Sequence, residues 1–348
     1  MQIRTIPFSL VAADAAAIKA TQDSSHPSSR SQRFSTADHS REEILPIVPE
    51  TPTFKHEPPP WKPYGYTLWH RLVARSQSMT DYHEVTIPSF LYEDLMTCHS
   101  AWVSSGRIHT SLLNEVIETW QSTKSGKKLM PLLDGTKKWF IRLDQMSPKD
   151  SPVSGKLPSS TMEDVLTKLC TSMRAYGCLQ REEQDAKKEE REMVLKLVLN
   201  PWDEGMDPGR EFRVFVPPPA ARGEKINAEL LAVSAISQYR WPYVFEAPWG
   251  WSLERIAELV QDGAQKVLDE IVVYTFTELD EEIRGLLLKH GFSFDIALQE
   301  NGRVQLVEIN PFGAQSGCGA CLFNWVLDGK VLYGLEEAQF VITLKESA

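Results

Sequence analysis

The stretch FSFDIALQENGRVQLVEINPFG, Phe292 to Gly313, decides the reading of this chain. Two short runs with strand character flank Asn301-Gly302, the dipeptide that most strongly marks a hairpin turn. With those two residues as the turn, Glu300 faces Arg303, and counting outward sets Asp295 across from Glu308. Asn310, two residues beyond Glu308, shares that face because strand side chains alternate. Phe294, Ile296, Val307 and Ile309 take the other face as core. Directly opposed carboxylates repel, so the polar face asks for a cation. Asp, Glu and the Asn carbonyl are hard oxygen donors, the kind Mg²⁺ takes while keeping water and phosphate oxygens in its other positions. If no cation lies between them, Asp295→Asn is expected to leave the empty protein as stable or slightly more so. A solvated pair on an ordinary hairpin is the competing explanation.

Outward from the hairpin, the 348 residues can bury a sizeable core in one large or two medium domains. A net charge of −10 argues against a nucleic-acid backbone or an anionic membrane as main partner. No apolar run reaches the length of a membrane span, and Asp14 interrupts the early apolar stretch, which makes it a poor secretory signal. Five cysteines, an odd number in a long chain, fit a reducing compartment, and the cytosol is expected. From Thr21 to Pro60 the chain is rich in Ser, Pro, His and charge, too polar to offset its ordering entropy. Residues 1–60 are accordingly expected as a disordered tail, dispensable up to residue 57, with 61–192 as an N-terminal subdomain and 193–348 as a C-terminal one.

Between tail and hairpin the periodicity alternates. Helices are expected after Pro88, capped by a Ser, around Leu112 to Trp120, and after a Ser160 or Thr161 cap. Two more are expected from Ser252 and from Leu279 to Lys289. Trp139 to Leu143, Val194 to Leu199, EFRVFV (211–216) and LLAVSAISQY (230–239) read as strands. The sum is α+β. Arg181 to Met193 is a charge run, read as a solvated helix end or loop insertion. Four cations stand out. Arg142 and Lys149 flank a strand and its turn, Lys156 sits in the loop SPVSGKLPSS, and Arg213 shares a strand face with Glu211. Gathered near the Asp/Glu/Asn face they would suit a polyphosphate. Cys318 and Cys321 have a metal-like spacing but no second pair to complete a zinc site, so a plain loop is expected.

These segments, in this order, resemble the cell division cycle protein 123 family, whose fold is ATP-grasp. FIRLDQMSPKDS (140–151), SGKL (154–157), LVLNPWDEGMDPGREFRVFV (197–216), AISQY (235–239), the hairpin itself and CLFNW (321–325) carry the likeness. The resemblance implies two α+β subdomains with ATP and Mg²⁺ bound between them. It implies Asp295, Glu308 and Asn310 as metal ligands, with Arg142, Lys149, Lys156 and Arg213 toward phosphate. Val198, Leu199, Asn200 and Trp202 would form the hinge against adenine. It further implies a monomeric assembly chaperone for the gamma subunit of eukaryotic translation initiation factor 2. An ATP-dependent ligase joining a carboxylate to an amine through an acyl phosphate is the other activity the fold allows. The chain departs from the family pattern at Arg142 (Lys there), Asp144 (Asn), Glu308 (Asp), Asn200-Pro201 (a basic pair) and Tyr239 (Arg).

Overall fold

Apolar runs bounded by turn residues become strands, and apolar stripes at helical spacing become the helices that cover them. The computed structural model describes residues 1–22, 32–37, 39, 41–44, 46, 58–152 and 158–345. Its strands are β1 (Gln2–Pro7), β2 (His83–Ile87), β3 (Asp134–Leu143), β4 (Ser159–Thr161) and β5 (Leu195–Pro201). They continue as β6 (Glu211–Val216), β7 (Ala235–Gln238), β8 (Phe292–Leu298), β9 (Val304–Pro311) and β10 (Gln339–Leu344). The chain divides into two units, one made of Met1–Tyr64, Arg71–Gln77 and Gly205–Ala348, the other of Gly65–His70 and Ser78–Glu204.

The first unit is built on a six-stranded sheet in the order β1-β10-β7-β6-β8-β9. β1, β10 and β7 run parallel to one another, and the remaining neighbours are antiparallel. Every residue of β8 is buried. The helix Leu253–Glu278 starts where the Ser252 hydroxyl accepts from the Arg255 N–H, as expected of a Ser cap. It buries Ile256, Val260, Ala264, Val267, Leu268 and Ile271 along one stripe. Phe215, Phe312, Phe323 and Trp325 anchor this unit's core, with Trp325 edge-on to Phe312 at 5.1 Å and to Phe215 at 5.6 Å.

The second unit carries a four-stranded antiparallel sheet in the order β2-β5-β3-β4. Its core gathers Leu95, Val116, Trp120, Trp139, Ile141, Leu166 and Leu199 from the sheet and its helices. Helix Met162–Thr171 opens on a complete capping box, Thr161 with Asp164. Helix Leu91–Ser105 instead follows Phe90 with no side-chain cap, so the expected Ser cap is absent. Part of the charge run continues a helix, Met173–Lys188.

Two expected boundaries are corrected. Residues 1–60 are not one tail: Gln2 to Pro7 pairs residue by residue with Gln339 to Leu344, and a helix follows from Phe8 to Gln22. β1 lies at the sheet's edge and buries only Ile6, so its alternation is too faint to mark a strand. Much of the stretch between Gln22 and Pro58 lies outside the described residues. The 192/193 boundary also moves, because β5 pairs on both sides with β2 and β3 and therefore belongs with the unit before it.

Candidate functional site

The hairpin forms, by a route the sequence does not show. Gln299 donates its N–H to the Arg303 carbonyl, so three residues, Glu300 to Gly302, make the loop, with Gly302 at φ 78°. That turn pairs Ile296 with Leu306, one residue off the expected register. A bulge at Val307 then restores it, and Asp295 stands opposite Glu308 after all. The bulge also corrects the core face: Leu306 is buried there in place of the expected Val307. Ser76 Oγ accepts from the Leu306 N–H at 2.8 Å and Gln77 Nε2 donates to its carbonyl at 2.7 Å, satisfying Leu306 on the open edge of β9.

A cation is present beside one of the two carboxylates, Asp295, and it is Arg213 from the neighbouring strand β6. β6 pairs with β8 so that Arg213 faces Asp295. Its Nε and Nη2 donate to the two Asp295 oxygens at 2.8 and 2.7 Å, and Nη1 donates to the Gly319 carbonyl at 2.9 Å. Both partners are buried, Asp295 at 1 % exposure and Arg213 at 7 %. Asn310 Nδ2 reaches Asp295 at 3.2 Å and Glu308 at 3.5 Å. Burial pushes the Asp295 carboxyl up, Glu308 pushes the same way, and Arg213 pulls against both. Burial likewise opposes the charge on Arg213, and Asp295 more than offsets it. The expectation that Asp295→Asn costs the empty protein nothing is thereby overturned. Tyr239, where the family carries Arg, sets its ring 5.3 Å from the Arg213 guanidinium carbon.

This face brings two carboxylates together, the hard-oxygen donor type that a divalent cation takes. An ionised carboxylate has about four acceptor positions, so the two Arg213 bonds leave capacity on each Asp295 oxygen. Glu308 is only partly buried. For Asn310 to serve as a ligand its amide must turn end for end, bringing Oδ1 where Nδ2 now stands.

The loop after β9 supports this face. Cys318 and Cys321 form no disulfide, and among the described residues no group of 3 or more His, Cys, Asp and Glu is clustered to hold a metal. The Cys318 thiol is pushed up to about 11 by burial, opposed by Arg213 and helped by Asp295 and Glu308, so it stays neutral. Ser35 donates its N–H to the Cys321 carbonyl at 2.7 Å, and Ala320 donates to the Thr36 carbonyl at 3.1 Å. A Cβ on Gly319 would come 2.7 Å from Ser35 Oγ, so a larger residue would have to turn that hydroxyl aside. The sequence reading missed this contact, which lies in a segment expected to be disordered.

In the second unit Arg142 sits on β3 opposite Val198 of β5, buried, its guanidinium carbon 3.8 Å from the centroid of the Tyr66 ring. Lys149 is exposed in the turn after β3, and Lys156 lies outside the described residues. Val198 and Leu199 are fully buried with main chains paired on both sides, so they are core rather than a presented hinge. Asn200 donates Nδ2 to the Tyr66 hydroxyl at 2.8 Å, and its Oδ1 lies 2.9 Å from His70 Nε2. Trp202 leaves the sheet, its N–H donating to the Lys138 carbonyl at 2.9 Å. Tyr66 and His70, one turn apart on a helix, were not foreseen, although that spacing is legible.

Burial holds the His70 pKa below its usual 6.5, against the opposing Asn200 hydrogen bond. The folded state therefore keeps His70 neutral while the unfolded chain takes up a proton first. The stability this provides is complete above about pH 6.5 and declines as the pH falls below it. His70→Gln should flatten that part of the profile. Urea midpoints of parent and variant at about pH 7.5 and 5.5 test this, and equal acid losses in both would refute it.

No family model matches the sequence, and no curated protein matches it. Solved structures do. Cdc123 from Schizosaccharomyces pombe superposes with a TM-score of 0.52 at 17 % identity, over 89 % of this chain and 100 % of that one. Its C-terminally truncated form gives 0.52 at 16 % identity over the same shares. D-alanyl-alanine synthetase A from Vibrio cholerae gives 0.31 at 12 %, over 75 % of this chain and 58 % of that one. The chain thus carries the α+β, ATP-grasp fold of Cdc123, in a sequence that resembles that family as a divergent form.

Proposed function

We propose that this chain is a cytoplasmic, monomeric, ATP- and Mg²⁺-binding assembly chaperone that acts on the gamma subunit of eukaryotic translation initiation factor 2. The observation that supports this is the buried polar face on β6, β8 and β9. Hard oxygen donors converge there beside a guanidinium held in place by two hydrogen bonds. Asp295, Glu308 and Asn310 would hold Mg²⁺, which when bound supplies charge neutralisation to phosphate oxygens. Arg213 favours the ionised form of Asp295 against its burial and orients the carboxylate through two hydrogen bonds. Arg142, Lys149 and Lys156 would contribute positive charge toward phosphate, and the Asn200 to Trp202 segment would meet the base. Among the described residues no helix is long and apolar enough to cross a membrane.

The test has two parts. Saturating Mg-ATP should raise the thermal midpoint by about 5–10 °C, as expected of a ligand near 100 times its dissociation constant. Tagged protein incubated with its own cytosol should recover the initiation-factor subunits more strongly with Mg-ATP than without. No thermal shift overturns nucleotide binding. Amino-acid-dependent phosphate release without subunit recovery replaces the chaperone with a ligase.

A further inference from the structure

We propose that Tyr66 is a positioning residue for nucleotide binding, setting Arg142 with its ring and Asn200 with its hydroxyl. The inference rests on the nucleotide reading given above and names a residue outside the motifs that carry it. Arg142 comes from β3 and Asn200 from the end of β5, so their side chains need a common reference to keep a fixed geometry. Tyr66 supplies one. The Arg142 guanidinium lies 3.8 Å from its ring centroid, and Asn200 Nδ2 donates to its hydroxyl at 2.8 Å. The second end of the Asn200 amide is held by His70 Nε2 at 2.9 Å, which fixes the amide's orientation.

Tyr66 is itself located by the strand it serves. Its N–H donates to the Asp144 carbonyl at 2.7 Å, and the Thr67 N–H donates to Asp144 Oδ1 at 2.7 Å. Asp144 is two residues past Arg142 on the chain, so it starts the helix directly beside the arginine. Gly65 permits this approach, since a Cβ there would lie 2.6 Å from Asp144 Oδ2. Tyr66 is only 3 % exposed. A buried guanidinium without an aromatic face loses part of its stabilisation and its set position. A buried Asn amide without the hydroxyl loses a hydrogen bond and its orientation.

The two roles separate by ligand. On that reading Arg142 meets phosphate and Asn200 meets the base, so adenosine reads Asn200, Mg-ATP reads both, and the ratio of the two affinities reads Arg142 alone. Titration calorimetry of the full chain should show Tyr66→Phe weakening adenosine and Mg-ATP alike, by about fivefold, with the ratio unchanged. Tyr66→Leu should lower the ratio itself by about tenfold, because the guanidinium loses its platform. A merely structural role would lower stability and leave the ratio alone. If the parent binds Mg-ATP and Tyr66→Leu keeps the parental ratio, the positioning role is overturned while the nucleotide reading stands. If the parent binds neither ligand, both fall. Should Tyr66→Leu not fold, Tyr66→Phe decides: unchanged adenosine affinity refutes the hydroxyl's part in the proposal.

Discussion

Asp295→Asn is expected to destabilise the nucleotide-free protein by about 3–5 kcal/mol, the cost of leaving one partner of a buried ion pair unmatched. Arg213 lies at 7 % exposure with both of its Asp295 bonds under 3 Å, so its charge has no water to turn to. The Gly319 carbonyl is the other acceptor recorded for it, and a neutral dipole cannot replace a carboxylate. Glu308→Gln should behave differently. Glu308 is partly exposed and raises the energy of the Asp295 charge, so removing it should leave stability unchanged or slightly higher. Removing both members, as in Arg213→Met with Asp295→Leu, should recover much of the single-variant loss. Urea unfolding of the four proteins measures this, and a parent-like Asp295→Asn would show the pair to be energetically idle.

Deleting residues 1–22 should lower the thermal midpoint by about 10 °C. Ile6 and Val11 are buried at 4 % and 0 % exposure, and each buried aliphatic side chain contributes about 1.5–3 kcal/mol. A loss of about 3–6 kcal/mol converts to that shift at about 2–4 °C per kcal/mol. The deletion also strips the parallel partner from β10 and the carboxylate of Asp14, which accepts from the Arg33 and Phe34 N–H groups at 3.1 and 3.0 Å. Differential scanning calorimetry of the truncated chain decides it. An unchanged midpoint would restore the expectation of a dispensable tail.

What could be read in advance follows the range of the interactions concerned. The opposition of Asp295 and Glu308 was legible because a hairpin is local, although a three-residue turn and a bulge had to cancel for the count to hold. The alternation placing Glu211 and Arg213 on one face of β6 was legible too. That Arg213 would face Asp295 was not, since the pairing joins strands 82 residues apart and depends on sheet order. β1 was hidden because an edge strand buries too little to imprint a pattern. Val198 and Leu199 fit a motif whose spacing does not say where the strand ends. Tyr66 escaped because its partners come from two strands far along the chain.

The parallel pairing of β1 with β10 sets a problem of timing. Gln2 leaves the ribosome 337 residues before its partner, Gln339. At about 5–20 residues per second, translation leaves the first strand waiting on the order of 20–70 s for the last. The unit formed by Gly65–His70 and Ser78–Glu204 is synthesised whole within that interval and can fold first. Ile3, Ile6, Phe8, Leu10 and Val11 meanwhile form an exposed apolar segment with an unpaired edge, the kind of stretch that aggregates or recruits a nascent-chain chaperone. Closure of the six-stranded sheet therefore waits until β10 has been synthesised, and residues 2–11 are the ones that need guarding until it happens.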